Sequence, residues 1–296
     1  MADPVMLTGA TGFVGRAILA ELRFRGIPVH AVSRHPGPAQ TGVIWHRADL
    51  LRKEDRARVA GLAPLLIHAA WEVPHGSFWT APSNTAWQAA SLDLIRRFCA
   101  AGGTRVLALG TCAEYDAQIA GPWNEDRLIA PSTPYGQAKA ELHCDLAAVC
   151  GTGLVWARLF HLYGPGEDRR RLVPSLIDAI RQGQPAEVRA SGLIRDFAST
   201  AHVAHCIVTL LLSGATGAFD IGSGAARSLG ALAQIIAREL SAPDLLRLSS
   251  PAQAAETAIM APELHRLRAA IGPCDERPET ALAAHVRADR EATPSV

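Results

Sequence analysis

The sequence predicts an α/β protein: a Rossmann-type doubly wound parallel sheet with a smaller C-terminal substrate-binding lobe. Three observations carry this. The apolar run Val5-Met6-Leu7 feeds a glycine-rich turn, Thr8-Gly9-Ala10-Thr11-Gly12-Phe13-Val14-Gly15, and the turn opens a helical pattern. Strand and helix patterns then alternate through the first half, which indicates parallel strands with helices on both faces. Past Leu162 the alternation breaks up, as expected of a lobe set over the carboxyl ends of the strands, where open α/β sheets bind ligands.

Each element has its own signal. After the turn, Phe13, Val14, Ala17, Ile18 and Leu22 recur at helical spacing, predicting a helix over 14–25. Further strands are expected at 27–33, 42–46, 64–70, 105–110 and 153–160, and further helices at about 52–61, 85–101 and 134–149. In the second half, Gly164-Pro165-Gly166 is a turn, and helices are expected at 172–181, 202–212 and 228–240, with a short strand at 217–222. The tail after Asp275 is rich in charge and Ala, and its last residues are expected to fray. This divides the chain into a dinucleotide-binding domain, 1–160, and a smaller lobe, 161–296, with the chain crossing between lobes near 195–225.

Bulk properties narrow the class. At 49% hydrophobic and 19% charged the chain is globular rather than disordered. A net charge of +1 gives no electrostatic case for nucleic acid or an anionic membrane. The first strand begins almost at the N-terminus, so no signal peptide is expected, and no apolar run reaches membrane-span length. The six cysteines form no CxxC pair and no zinc-spaced cluster, so ordinary thiols in a reducing cytoplasm, and no metal, are expected.

The glycine turn has the context that a dinucleotide loop requires. Gly9 permits the tight turn, Gly12 lets the backbone approach a pyrophosphate, and Gly15 lets the helix pack on the strand. The pyrophosphate then meets free N–H groups at the helix N-terminus. At the end of the second strand, Ser33-Arg34 stands where NAD-preferring sites usually hold an acid. Arg34 offers a planar cation for a 2′-phosphate, or is a solvated surface residue. Asp49-Leu50 lies against the adenine, or Asp49 caps the next helix.

Two further groups carry chemistry. In Tyr135-Gly136-Gln137-Ala138-Lys139, Pro134 starts a helix and Tyr135 and Lys139 share one face. A nearby ammonium favours phenolate and draws the Tyr pKa down from about 10. Tyr135 is therefore a plausible proton donor or acceptor. At the end of the fifth strand, in Gly110-Thr111-Cys112-Ala113-Glu114-Tyr115, the Thr111 hydroxyl either steadies a substrate oxygen or caps the strand end.

The chain resembles the extended short-chain dehydrogenases/reductases of the nucleotide-sugar epimerase/dehydratase/reductase type. The carrying residues are the 8–15 turn, Asp49-Leu50, His68-Ala69-Ala70, Thr111 to Tyr115, Tyr135 to Lys139, Arg158 to Gly166, and Arg195-Asp196-Phe197, over about residues 4 to 225. The resemblance implies Thr111, Tyr135 and Lys139 as the catalytic set. Tyr135 is then the acid/base, and Lys139 binds the nicotinamide ribose and lowers the Tyr pKa. It implies a cofactor site made of Gly9, Thr11, Gly12, Phe13, Val14, Gly15, Ser33, Arg34, Asp49, Leu50, Ala69, Ala70, Trp71, Tyr135, Lys139 and Phe160, and a homodimer.

The same resemblance places substrate contacts at Thr111, His161 and Arg195. His161 stands where the family usually has Asn on the diphosphate, and is otherwise a buried structural His. Arg195, in the RDF segment, suits a bidentate phosphate contact, or pairs only with Asp196. The Arg169-Arg170-Arg171 run reads as a solvated face. Ala201-His202 replaces the usual acidic pair, which bears on lobe packing. Cys112-Ala113 replaces the Asp-Glu pair of 4,6-dehydratases. The expected function is NADP-dependent hydride transfer to C4 of a nucleotide-linked sugar. The alternatives are a 4-epimerase, a non-catalytic NADP-binding sensor, and a reductase of a non-sugar carbonyl.

Overall fold

Short apolar strands separated by amphipathic helices build the main layer. The computed structural model describes residues 3–119, 122–249 and 257–292. In chain order the first half runs β1 (Val5–Thr8), α1 (Phe13–Phe24), β2 (Val29–Ser33), β3 (Val43–Arg47), α2 (Lys53–Val59), β4 (Leu65–His68), α3 (Ser83–Ala100), β5 (Arg105–Thr111), α4 (Pro134–Cys150) and β6 (Leu154–Leu159). The second half runs β7 (His161–Tyr163), α5 (Leu172–Arg181), β8 (Ala186–Val188), β9 (Ile194–Arg195), β10 (Phe197–Ser199), α6 (Thr200–Leu212), β11 (Gly217–Ile221), β12 (Arg227–Ser228), α7 (Leu229–Glu239), β13 (Leu246–Leu248), β14 (Ile259–Met260), α8 (His265–Ile271) and α9 (Pro278–Ala292).

Seven parallel strands form the central sheet in the order β11-β6-β5-β4-β1-β2-β3. The order reverses between β1 and β4, and a crevice opens there at the carboxyl ends of the strands. One face is covered by α1, α6 and α8, through Ile18, Leu22, Val203, Ile207 and Leu267. The other is covered by α2, α3 and α4, through Val59, Leu94, Phe98, Leu142 and Leu146. A separate core, with Ile177, Ile180, Leu232, Ile236 and Val286, holds the smaller lobe.

The chain was expected to cross between lobes near 195–225, and in that stretch α6 and β11 return to the central sheet. Strand β11 pairs with β6 from Gly217↔Val155 to Ile221↔Leu159. The reason is apolarity: α6 buries Val203, Ala204, Cys206, Ile207, Val208, Leu210 and Leu211, nearly all round. A helix of that kind fits between a sheet and a second helix and cannot cover a lobe surface. The charged tail contributes α9, which packs Leu282 and Val286 into the small-lobe core. The terminal residues expected to fray, 293–296, lie outside the described residues.

Candidate functional site

The cofactor end of the crevice is shaped by backbone. Gly9 has φ +69°, a left-handed conformation, and a Cβ there would stand 2.7 Å from Ala69 O. A Cβ on Gly15 would stand 2.0 Å from Gly9 O, so the first turn of α1 can lie on the loop only with glycine at that position. Gly12 is the N-cap; no side chain caps the helix, and no acid stands in its first turn. The N–H groups of Phe13, Val14 and Gly15 begin the helix there, a ready anion site. Ala69 and Ala70 follow β4 on the facing side, with Ala69 N–H donating to Thr8 O at 3.3 Å.

Around the far end, the Thr11 and Ser33 hydroxyls meet at 2.6 Å. Arg34 is half-exposed beside Glu72, 3.9 Å away. Asp49 uses its carboxylate on the Leu51 N–H at 3.1 Å, while the N-cap of α2 is Arg52. Asp49 thus closes the turn ahead of the helix rather than capping it. Leu50 is buried in the core below.

The end of the crevice where Thr111, Tyr135 and Lys139 were expected is made of side chains. Thr133 caps α4 by accepting the Gly136 N–H at 3.2 Å, and Pro134 takes the first helical position. A Cβ on Gly136 would stand 2.3 Å from Ala113 O, so glycine lets α4 dock against the turn after β5. That contact brings the Tyr135 phenol beside Thr111 and into the field of Glu114. Lys139 is buried; its Nζ donates to Leu109 O at 2.9 Å and lies 3.9 Å above the Trp71 ring. Phe78, Trp79 and Trp71 stand edge-on to Tyr135 at 5.0, 5.8 and 6.2 Å.

One electrostatic expectation is corrected here. Burial pushes the Tyr135 phenol above its usual range, with the Glu114 charge adding to this, and the Lys139 ammonium does not draw it down. Lys139 is itself pushed down to about 7 by burial. Its Nζ is engaged by Leu109 O and the indole.

Behind Thr111 lies a buried ion pair. Glu114 Oε1 accepts the Thr111 N–H at 2.8 Å, and Thr111 Oγ1 accepts the Ala113 N–H at 3.2 Å, a reciprocal capping box. Arg158 Nε donates to Glu114 Oε2 at 2.7 Å, and the Trp156 indole donates to the same carboxylate. Burial pushes the Glu114 carboxyl up, while the Arg158 guanidinium and these N–H groups pull it down. Arg158 also donates to Tyr115 Oη at 3.2 Å, and Tyr115 donates to Asp220 at 2.8 Å.

Where substrate contacts were expected, His161 is partly buried and stacked on Phe197 at 5.1 Å, and its buried Nε2 has no hydrogen-bond partner. Burial and the nearby Arg195 and Arg171 guanidiniums push it down to about 4, so the imidazole is neutral at pH 7. Arg195 is nearly buried and donates to Ile194 O. Asp196 accepts the Ser223 and Gly224 N–H groups. His202 ties α6 to Gly222 O at 3.0 Å. The Phe160 ring packs into the core with Tyr115 and Trp123. Of the arginine run, Arg169 pairs with Asp178 and Asp289, and Arg170 with Asp168.

Sequence reasoning missed Glu114 and the ring wall. The Glu114 role had a signal, since Thr followed three residues later by Glu is the capping-box pattern. The Phe78 and Trp79 contacts had none, because a loop brings them in. Cys112, expected as an ordinary thiol, is pushed up to about 12 by burial and lies 3.9 Å from Met260 Sδ.

A dinucleotide loop at the switch point of a parallel sheet, with Tyr, Lys and Thr gathered beside it, defines the class of nucleotide-cofactor enzymes built on the Rossmann fold. The chain belongs to the NAD dependent epimerase/dehydratase family, whose sequence model matches residues 5–222. It is 25% identical over 235 residues, 76% of this chain and 86% of the relative, to a dTDP-6-deoxy-L-talose 4-dehydrogenase (NAD(+)) of Aggregatibacter actinomycetemcomitans. It is 26% identical over 278 residues, 82% of this chain and 83% of the relative, to a dTDP-4-dehydro-6-deoxy-D-allose reductase of a Streptomyces species. Its fold superposes with a TM-score of 0.88 on a UDP-N-acetylglucosamine 4-epimerase of Methanobrevibacter ruminantium in complex with UDP-N-acetylmuramic acid, at 20% identity over 98% of this chain and 99% of that one. Among the described residues no helix is long and apolar enough to cross a membrane.

Proposed function

We propose that the protein reduces the C4 keto group of a nucleotide-linked sugar with NADPH, using Tyr135 as general acid. The observation that carries this reading is the docking of α4 on the end of β5, through Gly136 at Ala113 O and Lys139 at Leu109 O, which sets Tyr135 beside Thr111 and two positions unable to perform elimination. The uncapped α1 N-terminus and the cradle at Gly9, Gly12 and Gly15 fit a dinucleotide pyrophosphate. When bound, the nicotinamide supplies the hydride. Tyr135, protonated at neutral pH, gives its proton to the carbonyl oxygen as charge develops there. Thr111 hydrogen-bonds that oxygen and fixes its position. Lys139 holds the nicotinamide ribose, and the rings of Trp71, Phe78 and Trp79 exclude water from the phenol. Arg195 and the free Nε2 of neutral His161 receive the diphosphate. Arg34 takes the 2′-phosphate.

A 4,6-dehydratase must also move protons at C5 and C6. Cys112 is a partly buried, protonated thiol and Ala113 has no proton to transfer, so those roles are unfilled. Incubation with NADPH and a dTDP-linked 4-keto-6-deoxyhexose tests the reading. The expected result is NADPH oxidation matched by the C4 alcohol. A dehydrated 4-keto-6-deoxy product from an intact nucleotide hexose would overturn it. Interconversion of C4 epimers without net NADPH loss would assign the cleft to a 4-epimerase.

A further inference from the structure

We propose that Glu114 is the positioning residue of this cleft: its buried carboxylate fixes Thr111 from behind and keeps the buried Lys139 side chain charged. The inference rests on the roles given above to Thr111, Tyr135 and Lys139.

The geometry is specific. Glu114 is fully buried yet reaches back to the Thr111 N–H at 2.8 Å, so the last residue of β5 is held by the carboxylate. A Cβ on Gly110 would stand 2.6 Å from Glu114 Oε1, so glycine there leaves room for the carboxylate against the strand. Arg158 and Trp156 on β6 hold it from the other side. Replacing any one of these partners would loosen the turn that carries the Thr111 hydroxyl.

The charge is needed because Lys139 is buried. Burial disfavours an ammonium, and Lys139 has one oxygen acceptor, Leu109 O, plus the Trp71 ring. Lys139 Nζ and Glu114 Oε1 are bound to one stretch of β5, at Leu109 O and at the Thr111 N–H two residues on, and Glu114 is the charge that opposes burial there. The other titratable groups around the pair do not substitute for it. Cys112, in the same turn, is protonated. On α4, Tyr135 is protonated and His143 is pushed down to about 4, so it is neutral. His68 on β4, beside Lys139, is pushed down to about 3 and is neutral, bonded to the Thr8 and Ser91 hydroxyls. Asp220 on β11 accepts from Tyr115, acts on Arg158 and Glu114 rather than Lys139, and is itself pushed up to about 7. Arg158 turns its outer nitrogens toward Tyr115 and His143.

The composition allows a direct test. Of the 29 basic residues only Lys53 and Lys139 are lysines, and Lys53 is exposed on α2. NMR of protein labelled at the lysine side chain therefore shows two ammonium signals, and the titration of Lys139 is read without substrate or cofactor. Lys139 in the natural protein should be protonated at pH 6.5, and its midpoint should fall by about one pH unit in Glu114→Gln. Glu114→Asp, which keeps the charge, should stay close to the natural midpoint. If Glu114→Gln does not fold, Glu114→Gln combined with Arg158→Met removes the pair with neutral side chains of similar size, and should lower the midpoint likewise. A neutral Lys139 at pH 6.5 in the natural protein would overturn the proposal. So would an unchanged midpoint in the neutral variants, or an equal fall in Glu114→Asp. Full activity of Tyr135→Phe would instead defeat the functional reading and leave the titration result standing.

Discussion

The two ends of the crevice are built from different materials. At the cofactor end, Gly9, Gly12 and Gly15 shape a backbone cradle, and its side-chain contacts are the exposed Arg34 and a pair of hydroxyls. At the catalytic end, Glu114, Arg158, Asp220 and Lys139 are buried, and each is placed by another side chain or a backbone carbonyl. The difference teaches how each end responds to change. Backbone N–H groups carry no titratable proton, so the cradle is insensitive to pH and intolerant of a Cβ. Buried charges are the reverse: they tolerate small shape changes but feel every proton, because a low dielectric magnifies their interactions.

Four changes would sharpen or break that contrast. The largest effect belongs to the catalytic end. Tyr135→Phe should lower turnover by about 10²–10⁴-fold with cofactor affinity nearly intact, checked by steady-state rates and an NADPH titration on the same variant. Unchanged turnover would remove Tyr135 from the chemistry.

Next comes the cradle. Gly15→Ala places a Cβ 2.0 Å from Gly9 O, so the loop must shift away from the α1 N-terminus. NADPH affinity should fall at least about 100-fold, with a loss of folding stability on the order of 1–3 kcal/mol. Calorimetry of binding and thermal melts measure both. Affinity within twofold of the natural protein would show that the cradle is not the binding element.

The third change concerns pH. Burial, with Glu125 nearby, pushes Asp220 up to about 7, well above the ordinary carboxylate range. The folded state therefore holds a proton that the unfolded chain releases near pH 4. Stability is fullest below about pH 4 for this group and falls as pH rises through about 7, on the order of 1.4 kcal/mol per pH unit over that window. Asp220→Asn should flatten the fall, which denaturant titrations at pH 5 and pH 8 will detect. An equally steep fall in the variant would assign the pH dependence to other groups. Gly15→Ala should leave the slope unchanged.

The smallest effect is at Arg34. A half-exposed, charge-assisted contact is worth about 1.5 kcal/mol, so Arg34→Ala should weaken NADPH binding about tenfold and leave NADH binding alone. Equal affinity of the natural protein for the two cofactors would break the 2′-phosphate assignment, and the proximity of Glu72 would then be the reason.

The sequence by itself determined the alternating parallel sheet, the glycine cradle and the helix that pairs Tyr135 with Lys139. Those features are local: a turn that needs φ above zero, a repeat of two or 3.6 residues, a spacing of four on one helix face. Tertiary structure alone decided the rest. The return of α6 and β11 to the central sheet depends on pairing across 62 residues, Gly217 with Val155, which no local period encodes. The expected drop of the Tyr135 phenol failed because burial outweighs a nearby ammonium, and burial is set by Trp71, Phe78 and Trp79 arriving from a separate loop. Phe160 stands where its motif puts it, and its ring packs against Trp123. Glu114 could be read as half of a capping box from the chain. Its partner Arg158, 44 residues on, became its partner only when β5 and β6 paired. Backbone conformation is dictated by neighbours in sequence, whereas desolvation and ion pairing are dictated by neighbours in space.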